Sequence, residues 1–541
     1  MVSADVTLTP SDRATAGRNA PPRPFLRRHR VPLLATVPTL PLYAVWVAFL
    51  ATGGGDLAAQ QAWARFASEH GTAAYNLFWY GGMHTANYSL ISPYLMAALG
   101  VRTVTVLSGV AGAWLVAALI DRSGIRRPLW PAVLASLAIW CNVASGRTTF
   151  ALGLAFGLAA CLALARRRRV VVAVVCAALA TMGSPVAGLF LVVAGAGYFF
   201  VRDWARAAAL VLPPFVVVAA TTVLFPFTGE HLMPFDRIFP PVLFSLALIL
   251  GGPREWRVVR WGAGVYAVGT VLTYLIPSPI GTNVERLAEL VGPALLLAAL
   301  LVPGLTRARR IALTVTLVLS SAWVTQKTVD DLVVSTKVPK WAVDTQGVVR
   351  ELERLEANRT RVEVVPTRNH REATALAPYV NMARGWNRQL DIERGRLFYD
   401  GSFSPGTYRA WLDKWAVGYV VLPAGKPDGF AEDEAALVAG GPKWLEPVWR
   451  DPYWQIFRVR NAVPLVSEPA AVVRSTGSNV VVRVPKRGSV TLRLVYSPWL
   501  RAEGACLTPK GEFTRLSVPA PGTYEISSGY RRAAGRHSTC P

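Results

Sequence analysis

The feature that most constrains this chain is a series of apolar runs, roughly 15–20 residues long, that alternate with short basic clusters. Runs of this length predict membrane-spanning helices, because a helix satisfies its own backbone hydrogen bonds inside the bilayer. The composition agrees, since 52% of the 541 residues are hydrophobic and only 17% are charged. Soluble domains carry about a quarter charged residues. The sequence therefore predicts a polytopic α-helical membrane protein, with the lipid bilayer as its partner.

The formal net charge of +24 raises the question of a nucleic-acid partner. Much of the arginine excess lies in short loops between the apolar runs, where basic residues orient spans toward the cytoplasm. No base-stacking or base-reading module accompanies the charge. We therefore expect no nucleic-acid partner.

About eleven spans place every basic loop on one side of the membrane. In this layout residues 1–31 form a basic cytoplasmic N-terminus, and the transmembrane bundle covers 32–326 with a long first outer loop at 54–100. The weakest spans lie near 170–201 and 238–252, and losing one of them would reverse the side on which the C-terminal part lies. We predict a multi-pass protein of the plasma membrane with its C-terminal part outside.

The C-terminal part has the pattern of extracytoplasmic soluble domains. Residues 327–462 combine strand patterns at 360–366 and 417–423 with a helical pattern at 348–358, which predicts an α/β domain. Residues 463–541 alternate apolar and polar side chains between Pro and Gly turns, which predicts a β-sandwich-like domain.

The five cysteines fall into two groups. Cys141, Cys161 and Cys176 lie inside apolar runs, as small core residues do. Cys506 and Cys540 lie in the C-terminal region, where a disulfide can form if the region is extracytoplasmic. No Cys or His cluster has metal-ligand spacing. We therefore expect no cofactor, and a divalent metal ion stays an alternative that the sequence does not support.

Asp56 stands between three glycines and an amphipathic pattern at 56–70. One face of that pattern is apolar or aromatic, which predicts a helix lying in the membrane interface: Ala59, Trp63, Phe66, Ala67 and His70. An aspartate before a helix is also a good N-cap. The sequence leaves open whether the Asp56 carboxylate caps its own helix or points into a pocket.

This layout resembles the actinobacterial type of the GT-C class of bacterial integral membrane glycosyltransferases. Those enzymes have a cytoplasmic N-terminus, a first span, and a long outer loop that starts with an acid and contains interfacial helices. Asp56 occupies the matching position. The resemblance implies transfer of a sugar from a polyprenyl-phosphate donor to a cell-wall glycan acceptor on the extracytoplasmic face.

The sequence departs from that class at one point. Many members carry paired acids in the first outer loop, whereas Asp56 is followed by LAAQ and the next acid is Glu69. This departure favours an inverting, metal-independent reaction in which Asp56 is the general base. Arg286, Arg237 and His231 are the candidates for binding the donor phosphate, since guanidinium groups match phosphate. For Arg286 the alternative is an interface anchor.

Further ionisable and aromatic residues are candidates for the same pocket or for acceptor contacts: Glu69, His70, His84, Arg147, Glu230, Asp236, Glu285, Trp386, Asn387 and Asp391. Charged groups at the mouth of a helix bundle usually have a function. The other interpretation is that outer loops are simply polar. For the residues of 383–401, that alternative is the docking of a domain on the bundle.

Two other functions fit the same architecture. A lipid or sugar transporter is opposed by the lack of a twofold repeat and by the few ionisable groups in the spans, although MGSP at 182–185 could break a helix. A non-catalytic envelope scaffold, with a C-terminal part that binds glycan, is the stronger alternative. Silent charge-neutralising changes in the outer loops would favour the scaffold.

Overall fold

The computed structural model describes residues 25–86, 88–165 and 169–530. After a short helix at Phe25–Arg28, the helices up to residue 336 are, in chain order, α1 (Arg30–Leu50), α2 (Asp56–Glu69), α3 (Ser92–Leu99), α4 (Val101–Arg122), α5 (Leu129–Ala144), α6 (Thr148–Leu164), α7 (Val170–Gly183), α8 (Pro185–Phe200), α9 (Trp204–Leu224), α10 (Phe239–Gly251), α11 (Arg257–Leu275), α12 (Glu285–Leu300) and α13 (Arg307–Thr336).

A helix occupies each of the eleven predicted span positions. Within the described ranges, four helices are long and apolar enough to cross a membrane, namely α1, α4, α9 and α11. The apolar helices α5 to α8 are shorter, between 10 and 17 residues. The multi-pass helical architecture is confirmed, whereas the number eleven stays a prediction.

Small residues allow the shorter helices to pack closely. A Cβ at Gly183, the last residue of α7, would lie 3.2 Å from the backbone of Gly153 on α6. Close backbone approach of this kind is how helices associate in a bilayer, where apolar burial supplies little driving force.

Helix α13 continues well beyond 326, the predicted end of the membrane part, and reaches Thr336. Its 30 residues correspond to about 45 Å of helix, which exceeds the roughly 30 Å apolar core of a bilayer. The C-terminal turns of α13 carry Lys327 and Asp331. These two charged side chains therefore lie near the end of α13 that contacts the C-terminal part through Arg371.

The first outer loop folds back under the C-terminal part. After α2, the strands β1 (Tyr75–Asn76) and β2 (Met83–His84) form a hairpin. Phe66 of α2 is 2% exposed and packs edge-to-face on Phe78, with ring centroids 5.3 Å apart, in one core with the α/β domain. The prediction that α2 lies in the membrane interface on its aromatic face is wrong, because the chain itself covers that face.

The C-terminal part contains short helices and the strands of two separate β-structures. The helices are α14 (Lys340–Val343), α15 (Gln346–Arg354), α16 (Glu372–Ala375), α17 (Arg388–Arg394), α18 (Pro405–Lys414) and α19 (Glu432–Ala439). The strands are β3 (Arg361–Val364), β4 (Val417–Pro423), β5 (Leu445–Arg450), β6 (Trp454–Val459), β7 (Ala471–Ser475), β8 (Val480–Val484), β9 (Gly488–Val495), β10 (Leu500–Ala502), β11 (Cys506–Lys510), β12 (Phe513–Val518) and β13 (Gly522–Ser528).

The strands form a mixed sheet and a sandwich. The mixed sheet has the order β3-β4-β6-β5, with β3 and β4 parallel. The sandwich pairs a four-stranded sheet, β10-β13-β8-β7, with a three-stranded sheet, β11-β12-β9, around one apolar core. Cys506, in β11, is disulfide-bonded, and its predicted partner Cys540 lies outside the described residues.

His84 joins the first outer loop to the sandwich and makes stability depend on pH. Its Nε2 lies 2.9 Å from Oγ of Ser497, and burial lowers the pKa of His84 from 6.5 to about 4. Between about pH 6.5 and pH 4, His84 is protonated in the unfolded chain but neutral in the folded chain. The free energy of unfolding therefore falls as the pH is lowered through this range.

We expect acidification from pH 7 to pH 5 to lower the free energy of unfolding through His84 by about 2 kcal/mol. His84→Gln removes this titration, and an uncharged amide retains a polar group near Ser497. Denaturant unfolding of wild type and variant at both pH values measures the difference. Equal acid sensitivity in the two proteins would contradict the assignment to His84.

Candidate active site

A polar cavity lies where the helix bundle meets the C-terminal part. Its empty volume is about 550 Å³, including space open to solvent. The residues that line it come from α2, the first outer loop, the outer ends of the bundle and the start of α17: Asp56, Ala59, Gln60, Trp63, Tyr88, Arg147, Thr149, His231, Asn283, Arg286, Trp386, Asn387, Arg388 and Gln389. The fold thus brings together six residues predicted as a site, namely Asp56, Arg147, His231, Arg286, Trp386 and Asn387.

Asp56 is the first residue of α2 and does not cap it. The N-cap is Gly55, whose φ of 63° and ψ of −137° suit glycine, and the helix has no side-chain capping hydrogen bond. The Asp56 carboxylate instead lines the cavity, 35% exposed, with Oδ2 3.8 Å from Nε of Arg147. The pocket interpretation therefore replaces the N-cap interpretation.

The C-terminal domain holds the turn that carries Asp56. The Gly55 N–H donates to the carbonyl of Asn369 at 2.8 Å, and Nε1 of Trp386 donates to the Gly55 carbonyl at 3.1 Å. Arg371 donates to the Thr52 carbonyl at 2.6 Å. Trp386 is therefore engaged in docking the domain as well as lining the cavity.

Arg147 is buried and shared among three carboxylates. Its guanidinium lies 2.7 Å from Glu289, 3.2 Å from Asp331 and 3.8 Å from Asp56. Behind it, Lys327 pairs with Glu289 at 2.5 Å and also with Glu285. These charges form a continuous network from the cavity into the bundle, which fixes Arg147 and leaves it poorly placed to bind a substrate anion.

Arg286 is the cavity cation that remains without an anionic partner in the described part of the chain. Arg388 also lines the cavity, but its charge is already paired with Asp428 at 2.8 Å. Arg286 has its guanidinium carbon 5.2 Å from the ring centroid of Phe150, and no carboxylate lies within ion-pair distance of it in the described ranges. A negatively charged ligand in the cavity could therefore form an ion pair with the Arg286 guanidinium.

His231 lines the cavity as a neutral imidazole. Burial lowers the pKa of His231 to about 4, so the ring is uncharged at neutral pH. Its Nδ1 lies 3.0 Å from the carbonyl of Leu232, and because a carbonyl only accepts, the proton is on Nδ1. Nε2 is then an acceptor, which argues against His231 as the phosphate-binding cation.

The other predicted residues lie outside this cavity: Glu69, His70, His84, Glu230, Asp236, Arg237, Glu285 and Asp391. The acids in the outer loops have local partners, Arg65 for Glu69 at 2.8 Å and Arg396 for Glu230 at 3.3 Å. Asp236 and Arg237 are exposed neighbours. Asp391 accepts a hydrogen bond from Tyr399, and His70 lines an adjoining apolar cavity.

Three charged residues behind the cavity escape sequence reasoning: Glu289, Lys327 and Asp331. A signal exists for Glu289, because Glu285 and Glu289 are four residues apart and share one face of a helix whose only other charged residue is Arg286. Lys327 and Asp331 have the same spacing, but the predicted last span ends at 326 and so does not include them. Their role depends on the length of α13.

An apolar groove approaches the cavity from the membrane part. It has an empty volume of about 680 Å³ and is lined mainly by apolar residues of α8 and α11 and of the segment that follows α11: Leu189, Phe190, Val193, Tyr266, Gly269, Leu272, Thr273, Ile276, Ser278, Ile280 and Val284. Phe190 packs edge-to-face on Phe150, with centroids 5.8 Å apart, and Arg286 lies over Phe150. The fully buried Phe150 therefore lies between the groove and the unpaired Arg286 guanidinium.

No group of three or more His, Cys, Asp or Glu side chains that could hold a metal ion occurs in residues 25–86, 88–165 and 169–530. Asp56 has no second carboxylate on the cavity wall, since Glu289 and Asp331 are not among its lining residues. The expectation of a reaction without a metal remains a prediction.

No family model and no curated protein matches the sequence. The solved structures that resemble the chain include the following two. Arabinofuranosyltransferase AftD from Mycobacteria has a TM-score of 0.44 and 16% identity, over 87% of this chain and 43% of that chain. ArnT from Cupriavidus metallidurans has a TM-score of 0.31 and 14% identity, over 74% of this chain and 92% of that chain. Both are GT-C glycosyltransferases.

The chain spans less than half the length of the AftD chain that it matches.

Proposed function

We propose that the protein is a membrane glycosyltransferase that moves a sugar from a polyprenyl-phosphate donor to a cell-wall glycan on the extracytoplasmic face. One observation carries the proposal: a single cavity joins the Asp56 carboxylate to the unpaired Arg286 guanidinium, and an apolar groove lies beside that cavity. A base, an anion-binding cation and a path for a lipid tail are the three components that this reaction needs.

The donor is assigned from the groove and from Arg286 together. The groove offers apolar side chains to a hydrocarbon tail, and several of them, such as Leu272 and Ile276, are exposed where lipid would surround α11. A tail lying there would bring its phosphate toward Arg286, where a bidentate guanidinium contact is strong.

The reaction is an in-line displacement at the anomeric carbon. Asp56 accepts the proton of an acceptor hydroxyl as its oxygen attacks, and the bond between the anomeric carbon and the phosphate oxygen breaks. The leaving polyprenyl phosphate gains a negative charge, which Arg286 stabilises. The configuration inverts, the product is a new glycosidic bond, and no metal takes part.

The orientation follows from the same proposal. The cavity lies at the outer ends of α6 and α12, beside the C-terminal domains. A cell-wall acceptor and a lipid-linked donor meet on the extracytoplasmic side of the plasma membrane, so the N-terminus is cytoplasmic and the C-terminal domains are outside.

The test compares two arginines. In liposomes, with polyprenyl phosphate carrying a labelled pentose or hexose, Arg286→Gln should lower kcat/KM for the donor about 10- to 100-fold, as expected for a lost charge-assisted contact. Arg237→Gln is the matched control, because Arg237 is exposed and outside the cavity.

Equal donor kcat/KM for the Arg286→Gln and Arg237→Gln proteins would remove Arg286 from the phosphate site. Absence of transfer by the wild type, with every donor and with cell-wall polysaccharide as acceptor, would contradict the proposed function and favour the scaffold.

A further inference from the structure

Two buried polar atoms on the wall of the cavity have no partner. Oε1 of Gln60 and Nε1 of Trp63 are inaccessible to solvent, and no described residue forms a hydrogen bond with either. Gln60 as a whole is 4% exposed. Buried polar groups in folded proteins are nearly always hydrogen-bonded, so each exception calls for an explanation.

Both atoms share a helix face with Asp56. Asp56, Gln60 and Trp63 occupy positions i, i+4 and i+7 of α2, and all three line the cavity. Together they extend over about 10 Å of helix. Ala59 lies between them on the same wall, and its small side chain leaves the face open.

We propose that this face of α2 is the acceptor subsite and that it binds a saccharide, with hydroxyl groups as the partners of Gln60 and Trp63. The inference rests on the proposed function and names the acceptor class for the same site. One hydroxyl lies against Asp56 for deprotonation, a second donates to Oε1 of Gln60, and a hydroxyl or ring oxygen accepts from Nε1 of Trp63.

The polar groups on this face of α2 suit a saccharide. A hydroxyl is both a donor and an acceptor, so adjacent hydroxyls can meet a carboxylate, an amide oxygen and an indole N–H in one row. Trp63 packs on Tyr88 with centroids 5.1 Å apart, which fixes the indole and adds an apolar surface for the C–H face of a sugar ring. The face carries no cation, so it does not suit a phosphorylated acceptor.

Three other polar side chains on the cavity wall already have partners within the protein. Asn387 accepts from the N–H of Leu390, Asn283 donates to the carbonyl of Ile280, and Gln389 donates to the carbonyl of Pro279. The donor and acceptor subsites therefore use different elements. Arg286 on α12 belongs to the donor subsite, and Asp56, Gln60 and Trp63 on α2 belong to the acceptor subsite.

The test is direct binding of saccharides to the full-length protein. The probes are di- to hexasaccharides prepared by acid hydrolysis of bacterial cell-wall polysaccharide, titrated calorimetrically into the purified protein in detergent without donor. We expect Gln60→Leu and Trp63→Phe each to weaken binding about tenfold. Gln326→Leu and Trp204→Phe are matched controls, since both residues are on the surface away from the cavity.

Stability distinguishes loss of a subsite from damage to the fold. Gln60→Leu and Trp63→Phe each remove a buried group that has no partner, so the melting temperature should stay equal or rise while binding weakens. Weaker binding together with a matching fall in melting temperature would overturn the inference, as would unchanged binding in both variants.

Transfer kinetics separate this inference from the proposed function. Both variants should raise KM for the oligosaccharide about tenfold and leave KM for the polyprenyl-phosphate donor unchanged. Wild-type transfer with normal acceptor KM in the variants would overturn the subsite alone. Wild-type saccharide binding that both variants weaken, without any transfer, would support the subsite and contradict the proposed function. A wild type that neither binds nor transfers would overturn both.

Discussion

Asp56→Asn should reduce transfer of sugar from the polyprenyl-phosphate donor by about 10²- to 10⁴-fold in kcat, the range that general-base catalysis contributes. The amide has the size of the carboxylate but cannot accept the proton of the acceptor hydroxyl. KM for the donor should change little, because the phosphate contact lies with Arg286. Single-turnover measurements with saturating donor and acceptor report the chemical step directly.

The control for this experiment is Asp236→Asn. Asp236 is an exposed acid in an outer loop, with a side chain 77% exposed, and it does not line the cavity. Its replacement should leave kcat unchanged. If Asp56→Asn has the kcat of wild type and melts normally, another group is the base.

Arg147→Met should lower the free energy of unfolding by about 3–5 kcal/mol, the usual effect of removing one partner from a buried ionic network. The side chain of Arg147 is 9% exposed and contacts Glu289, Asp331 and Asp56. Without it, the buried Glu289 keeps only Lys327 as a cationic partner among the described residues, and Asp331 and Asp56 lose theirs. Denaturant titration in mixed micelles measures the change.

Arg206→Met is the matched control, because Arg206 forms a partly exposed pair with Asp203 at 2.8 Å, three residues away on one helix. Such pairs contribute about 0–1 kcal/mol. An effect of Arg147→Met as small as this would show that the network around Arg147 contributes little to stability.

Much of the fold follows from the sequence, because helix positions depend on local apolar runs and strand positions on local alternation. The hairpin of β5 and β6, which turns at Asp451 and Pro452, is an example. The position of α2 does not follow. An amphipathic pattern indicates that one face is buried but not what covers it, and here Phe66 is covered by Phe78 and the α/β domain instead of lipid.

The candidate site follows from the sequence only in part. Asp56 and Arg286 are predictable from their placement at the outer ends of apolar runs. Arg286 and Arg237 cannot be distinguished in this way, because both are arginines of outer loops. Only the folded chain shows that Arg286 lines the cavity without an ion pair, and that Gln60 and Trp63 carry unpaired atoms. Those properties depend on residues distant in sequence.

The turn at Gly55 has a consequence for how this chain can be divided or recombined. Its N–H and its carbonyl are both held by the C-terminal domain, through Asn369 and Trp386. A chain cut after Thr336 would retain every membrane helix and lose the groups that fix the start of α2. A functional chimera must therefore exchange residues 52–55 together with 369–386.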